Sequence, residues 1–371
     1  MLYHHDSRDY QVAASSAADH ARTKLEGLIQ KGRTRARHVI DMVNTDVPSD
    51  YIVLGSSMNF ERDDGHVLLG FKDQQGEDLL VGLHRNALQQ ACNRVELPKS
   101  WVDKKLVGEP WERDLLIHNL NESFHHLGKR NLVRVVDFEA RGILSNKFRR
   151  MDSRPIIDAF GLACQKYDAV PIEGYYMQTR IALKALLPVV FEPVENEIVA
   201  IGIVLQNSDY GHGALSVRLI ILRLWCTNYA IGEECLRQVH LGKRLDDNIE
   251  FSQQTYELDT KTMVSAIEDI VTSSLHPNSV HRLLNGIVAA NEQEVSSAQI
   301  TNFLKKYLNK DERKEVVDAF NSPDVVNLPP GQTAYRLSNA ISWIAGKAED
   351  ESRRLEMQQV AGRLIEVPAD A

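Results

Sequence analysis

Cysteine is scarce in this chain of 371 residues: Cys92, Cys164, Cys226 and Cys235 are all it has. No two of them form a CxxC pair, so the close ligand pairs of a zinc site are missing and free thiols in a reducing compartment are the expectation. Long hydrophobic runs are missing too. The longest, from Leu219 to Cys226, is broken by Arg223 and is far shorter than the ~20 residues a membrane-spanning helix requires. There is no GxxxxGK[ST], no GxGxxG after a strand, no GxSxG and no HExxH, which removes the usual signatures of nucleotide hydrolysis, dinucleotide binding, serine hydrolysis and zinc proteolysis. Excess positive charge is also absent, since the net charge is −8. A nucleic-acid partner would have to meet a local basic surface, with the acidic residues segregated elsewhere.

A hydrophobic content of 43% and a charged content of 25% are ordinary for a globular chain with a large core or two modest domains. The opening MLYHHDSRDYQ is polar from its fourth residue, so no secretory leader is expected and the protein reads as cytoplasmic. Residues 1–15 read as a loose arm. From Ser16 to Val43 apolar residues recur at helical spacing, and the same segment carries Arg22, Lys24, Lys31, Arg33, Arg35 and Arg37. Two readings stand there: a helix with a solvated basic face, or one that touches phosphates.

The runs YIVLG, HVLLGF and DLLVGL, separated by the turn-forming clusters ERDDG and DQQGED, predict a small antiparallel meander over residues 51–83. Helices follow at His84 to Arg94, around Trp101, and from Trp111 to Gly128. Leu132 to Phe138 reads as a strand, Pro155 opens a helix to about Lys166, and Tyr175 to Leu186 reads as one further strand. The centre of the chain is Val199 to Asn228, two β-rich arms around the polar turn NSDYGHG. In the second arm, alternation puts Ser216, Arg218, Ile220 and Leu222 on one face and Val217, Leu219, Ile221 and Arg223 on the other, as in a strand covered on both sides. Beyond Gly232 the strand signal fades, and successive helices are expected from about 257 to 357. The fold class is α+β: an antiparallel β-rich core with flanking helices and a helical C-terminal region. The divisions fall at 1–50 (arm and basic helix), 51–250 (core) and 251–371 (helices).

His118, His125 and His126 lack an acidic partner at ligand spacing, so no metal site is expected, and no cofactor. Asp209, Tyr210 and His212 have acid/base chemistry, but a hairpin turn demands polar residues and glycine on its own account. The densest local basic excess is 129–154. There Lys129, Arg130, Arg134, Arg141, Lys147, Arg149, Arg150 and Arg154 stand against Asp137, Glu139 and Asp152, with Phe138 and Phe148 among them. Cations along a surface with interleaved aromatics suit a nucleic-acid strand, and a charged edge paired with the protein's own carboxylates suits the same pattern.

Three segments, RVVDFEARGILSNKFRRMDSRPI, QNSDYGHGALSVRLIILRLWCTNYAI and TAYRLSNAISWIA, resemble a phage and plasmid family described as domain-of-unknown-function family 932. The matching positions are Arg141, Leu144, Ser145, Phe148 and Arg149, then Asn207, Ser208, Gly211, Cys226 and Asn228, then Thr333, Tyr335, Asn339 and Ala340. Asp209 stands where that family often has Glu, and Tyr229 where it often has Gly. The resemblance implies a mobile-element context and, by analogy, a likeness to phage single-strand annealing proteins. The leading expectation is therefore a non-enzymatic single-stranded-DNA-binding protein of recombination or replication, homo-oligomeric and without a membrane, acting in the host cytoplasm if phage-encoded. Arg134, Arg141, Lys147, Arg149, Arg150, Arg218 and Arg223 are its expected phosphate ligands, and Phe148 its stacking residue. The alternatives are a protein–protein factor, such as a defence modulator or an assembly scaffold, and a metal-dependent nuclease using Asp209 and His212.

Overall fold

Helix α1 (Ser16–Thr45) starts where Ser15 caps it, the Ser15 hydroxyl accepting from the Ala18 amide. Its buried stripe runs through Ala21, Leu25, Ile29, Ala36 and Val39 at the three-and-four spacing of one helical face. The protein is described from a computed structural model, covering residues 10, 12–63, 66–224, 228–238, 252–322 and 328–365. Most of the expected N-terminal arm, Cys226, and the expected boundary near residue 250 lie outside the described residues.

Two sheets follow. The first contains β1 (Ser49–Leu54), β2 (Asn59–Asp63), β3 (His66–Lys72), β4 (Asp78–Leu83), β5 (Arg130–Val136) and β6 (Glu139–Ser145), in the order β1-β5-β6-β4-β3-β2. The meander is real, but its members are β2, β3 and β4. The Tyr51 run crosses to the far edge and pairs with β5. Residues 59–63 overlap what reads as a turn cluster and yet form a strand. One buried side chain, Phe60, anchors it, and Asn121 bonds both the Phe60 amide (2.7 Å) and its carbonyl (2.8 Å). The sequence also hides β6. It returns from β5 through Asp137 and Phe138, both at positive φ (47° and 61°), a turn with no glycine to announce it. Helices α2 (Arg85–Arg94), α3 (Lys99–Leu106) and α4 (Pro110–His125) cover one face of this sheet, where Phe60 meets Phe124 edge-on at 4.9 Å.

The second sheet has the order β12-β11-β10-β8-β7, with β9 pairing on β10. Its strands are β7 (Val170–Tyr176), β8 (Ile181–Leu186), β9 (Phe191–Val194), β10 (Glu197–Asn207), β11 (Leu215–Arg223) and β12 (Asn228–Gln238). The central hairpin forms as the alternation predicts, with Val199 opposite Arg223 and Gln206 opposite Ser216. The single strand expected over 175–186 is instead a hairpin, β7 and β8, turned through Gln178 at φ 52°.

Both faces of this sheet are covered. Ile201, Ile203, Val217 and Ile221 pack against α5 (Ser153–Gln165), α6 (Gln253–Ser274), α7 (Pro277–Glu292) and α10 (Ala334–Ala345). Ala200, Val204, Ile220 and Leu222 face α1 and α11 (Glu351–Gly362). Between α7 and α10 lie α8 (Ser297–Tyr307) and α9 (Lys310–Asn321), so the helical C-terminal region shares the core of the second sheet. Two glycines set the helix heights. A Cβ at Gly32 of α1 would stand 1.9 Å from the Ile172 carbonyl oxygen, and one at Gly362 of α11 would stand 1.9 Å from that of Ile231.

Candidate nucleic-acid interface

The tip of the β10–β11 hairpin, NSDYGHG, docks against the first sheet. Its Tyr210 carbonyl accepts from Gln90 (2.7 Å) and Asn86 (3.0 Å), both on α2, and Tyr210 packs on Gly142 of β6. Around this joint the arginines of the basic segment meet carboxylates from distant parts of the chain. Arg134, 2% exposed, donates to Asp50 (2.7 Å), Asp152 (2.8 Å) and the Asp209 carbonyl (2.7 Å). Arg141, also buried, donates to Asp46 (2.5 Å) and the Tyr176 hydroxyl (2.9 Å). Burial opposes the charge on both guanidiniums, but the surrounding acids outweigh it and raise both pKa values above the ordinary arginine value.

The other expected ligands are placed as follows. Arg149 grips Asp259 of α6 through two hydrogen bonds, one of 2.9 Å. Arg150 lies 3.0 Å from Asp50 and stacks over Tyr256 at 4.5 Å. Phe148, expected to stack on a base, is buried with Leu132 and Leu144. Arg223 pairs through both its Nε (2.6 Å) and Nη2 (2.5 Å) with Glu197, both side chains nearly inaccessible. Lys147 and Arg218 are half-buried. Arg134, Arg149 and Arg150 thus come together around Asp50, Asp152 and Asp259, whereas Arg223 lies apart at the base of the hairpin. The paired-edge reading of the basic segment describes most of these positions.

A cleft of about 680 Å³ opens beside the joint, lined by Asp50, Arg134, Arg150, Asp152, Tyr256 and Lys261 among others. Its lining mixes both signs of charge, so it has no strong preference for an anion. Behind it, Asp209 accepts from the Ser153 amide (2.9 Å), the Ser153 hydroxyl (2.5 Å) and Asn207 (3.2 Å). Burial and the neighbouring Asp152 push its carboxyl up to about 6, against the pull of Arg134 and Ser153. His212 is turned the other way, its Nδ1 2.9 Å from the Thr179 hydroxyl, and burial together with Arg180 lowers its pKa. The acid and base of the nuclease reading therefore have different partners. Among the described residues no group of three or more His, Cys, Asp or Glu side chains could hold a metal ion.

A compact series of accessible cations lies on α1, beside scattered exposed ones such as Lys129, Arg130 and Arg154. Lys31, Arg33, Arg35 and Arg37 are all exposed, and no acid interrupts the helix between Glu26 and Asp41. Arg37 approaches Asp41 only to 3.9 Å, with both side chains largely in solvent. Local charge density ranks 129–154 above this helix. Density cannot reveal that Asp46, Asp50 and Asp259 will fold onto one segment and leave the other uncovered. No protein-family model matches the chain, nor does any curated protein or solved structure. No described helix is long and apolar enough to cross a membrane.

Proposed function

We propose that this chain is a non-enzymatic single-stranded-DNA-binding protein of phage or mobile-element recombination or replication, and that it meets the strand along the outer side of α1. The observation that carries this reading is the exposed, uninterrupted series Lys31, Arg33, Arg35 and Arg37 in a chain of net charge −8. Phosphate contacts supply most sequence-independent affinity for nucleic acid, and they require cations facing solvent. The resemblance of 130–345 to a phage and plasmid family supports the mobile-element context, and annealing activity follows from it by analogy. Lys31 with Arg35 lies on one flank of the helix and Arg33 with Arg37 on the other, and the series is only about 10 Å long at 1.5 Å per residue. Such a short ridge gains useful affinity when an assembly repeats it, so a homo-oligomer in the host cytoplasm fits this function.

A second reading, a protein–protein factor, draws support from a different surface. Val107 (85% exposed), Trp111 (63%) and Leu115 gather where α3 runs into α4. Large exposed apolar side chains grouped in this way favour a protein partner. One experiment separates the two readings: binding of purified protein to a fluorescent single-stranded oligonucleotide across a salt series, with mass measured on the same sample. Tight binding that weakens steeply with salt, on a multimer, is the expected result. Absence of binding at low salt overturns the DNA reading and directs attention to the Trp111 corner.

A further inference from the structure

The face of the second sheet turned toward α1 and α11 changes character along its strands. One end is apolar, with Leu186, Ala200, Ile220 and Leu222 packed toward Leu25 of α1. The other end carries Tyr175, Lys184, Gln206 and Ser216, with Arg218 on the same face by alternation, and it lies under α11; Tyr229, opposite Leu222, places its ring beneath the Lys184 ammonium. Lys184 has no solvent exposure at all. Its Nζ is 2.8 Å from Glu173, 3.1 Å from the Gln358 side-chain oxygen, 4.0 Å over the Tyr229 ring and 5.1 Å over the Tyr175 ring. Gln359 donates to Gln206 at 3.0 Å, Ser352 meets the Met177 sulfur at 3.3 Å, and Gly362 rests on the Ile231 carbonyl. The helix therefore crosses from the β7–β8 turn over β8 and β10 to β12.

A helix that seals a sheet face ordinarily presents a hydrophobic stripe to it. Over this half of the sheet α11 presents Gln358, Gln359 and Arg354 beside one fully buried apolar side chain, Leu355, while its Met357, Val360 and Ala361 join the larger core. The fit is incomplete: among the described residues the buried Gln206 Nε2 and Arg354 Nε find no hydrogen-bond partner. Burial also lowers the pKa of Lys184 against the pull of Glu173, whose own carboxyl is held below its usual value by Lys184 and Arg35 despite burial. Two cations, two tyrosine rings, an amide and a hydroxyl on one strand surface are the groups that hold single-stranded nucleic acid by phosphate pairing and base stacking. Arg35, close to Glu173 at the rim, joins this surface to the exposed ridge of α1.

We infer that the polar half of this sheet face is a second contact surface for single-stranded nucleic acid, and that α11 is its displaceable cover. On displacement, Lys184 and Arg218 neutralise phosphates while Tyr175 and Tyr229 stack on bases. This rests on the DNA-binding reading above, and its test separates the two. Hydrogen exchange of the whole chain is measured with and without a poly-dT oligonucleotide at a concentration where binding is established by anisotropy. Exchange of the amides of 351–362 is expected to rise several-fold on binding. Binding with those amides equally or better protected overturns the cover and leaves the α1 reading intact; no binding at all removes both. A second measurement uses Lys184→Met with Glu173→Gln, which keeps the volumes and removes both charges of the buried pair together. Its affinity for the same oligonucleotide is expected to fall about tenfold. An affinity equal to wild type overturns the inference, and if the variant does not fold the exchange experiment decides alone.

Discussion

Neutralising the ridge on α1 with Lys31→Gln, Arg33→Gln, Arg35→Gln and Arg37→Gln together tests the proposed function most directly. All four side chains are exposed, so each substitution is expected to change stability by no more than about 0.5 kcal/mol. Gln is as good a helix former as Lys or Arg, so α1 is expected to persist. Binding is another matter. Each single-strand phosphate contact contributes roughly 0.7 to the slope of log K against log salt, so four lost contacts reduce that slope by about 2.8. Across a fourfold rise in salt, wild-type affinity is then expected to fall by about 50-fold more than that of the variant. The assay is fluorescence anisotropy with a labelled oligonucleotide at several salt concentrations, with thermal melting as the control for folding. A folded variant with the wild-type slope would refute the placement of the interface on α1. A matched pair, Arg149→Gln with Arg150→Gln, removes cations that hold Asp259 and Asp50. It is expected to lower stability while leaving the salt slope nearly unchanged.

The interior makes three further predictions. Glu197→Gln removes the carboxylate that the buried Arg223 guanidinium holds through two hydrogen bonds, and urea unfolding is expected to show a loss of about 3–5 kcal/mol; replacing both by Leu and Met is expected to be close to neutral. Gly32→Ala and Gly27→Ala lie in the same helix but meet different surroundings. The first sets a methyl against the Ile172 carbonyl and is expected to cost about 1–3 kcal/mol, whereas the second meets nothing within 4 Å and is expected to gain up to about 1 kcal/mol. Equal effects in thermal melts would contradict the close approach of α1 to β7. Asp209 sets a pH dependence: its carboxyl titrates at about 6 in the fold against an ordinary 3.8. Because the folded value is raised, its stabilising contribution is complete below about pH 4 and is lost as pH rises through 6, a change of about 3 kcal/mol. Asp209→Asn is therefore expected to flatten the stability curve between those two pH values, and an unchanged slope would show that the carboxyl is not burdened by burial.

Periodicity along the chain was enough to place α1, the β10–β11 hairpin with its two covered faces, and the run of C-terminal helices, because each is a local pattern of apolar spacing. It was not enough for β6 and the β7–β8 hairpin. Their turns bend through Asp137, Phe138 and Gln178 at positive φ, a conformation these residue types seldom announce. The charge balance was the least legible part. Arg134 and Asp50 are separated by 84 residues, Arg141 and Asp46 by 95, and Arg149 and Asp259 by 110. A count of cations along 129–154 registers how many there are and is blind to which carboxylates arrive from elsewhere. The amino-acid sequence alone thus determined the kinds of element and the existence of a basic excess, since both depend on neighbouring residues. Which cations stay in water, and which sheet face α11 covers, were decided only when the two sheets packed together, because ion pairing and burial depend on distance in space.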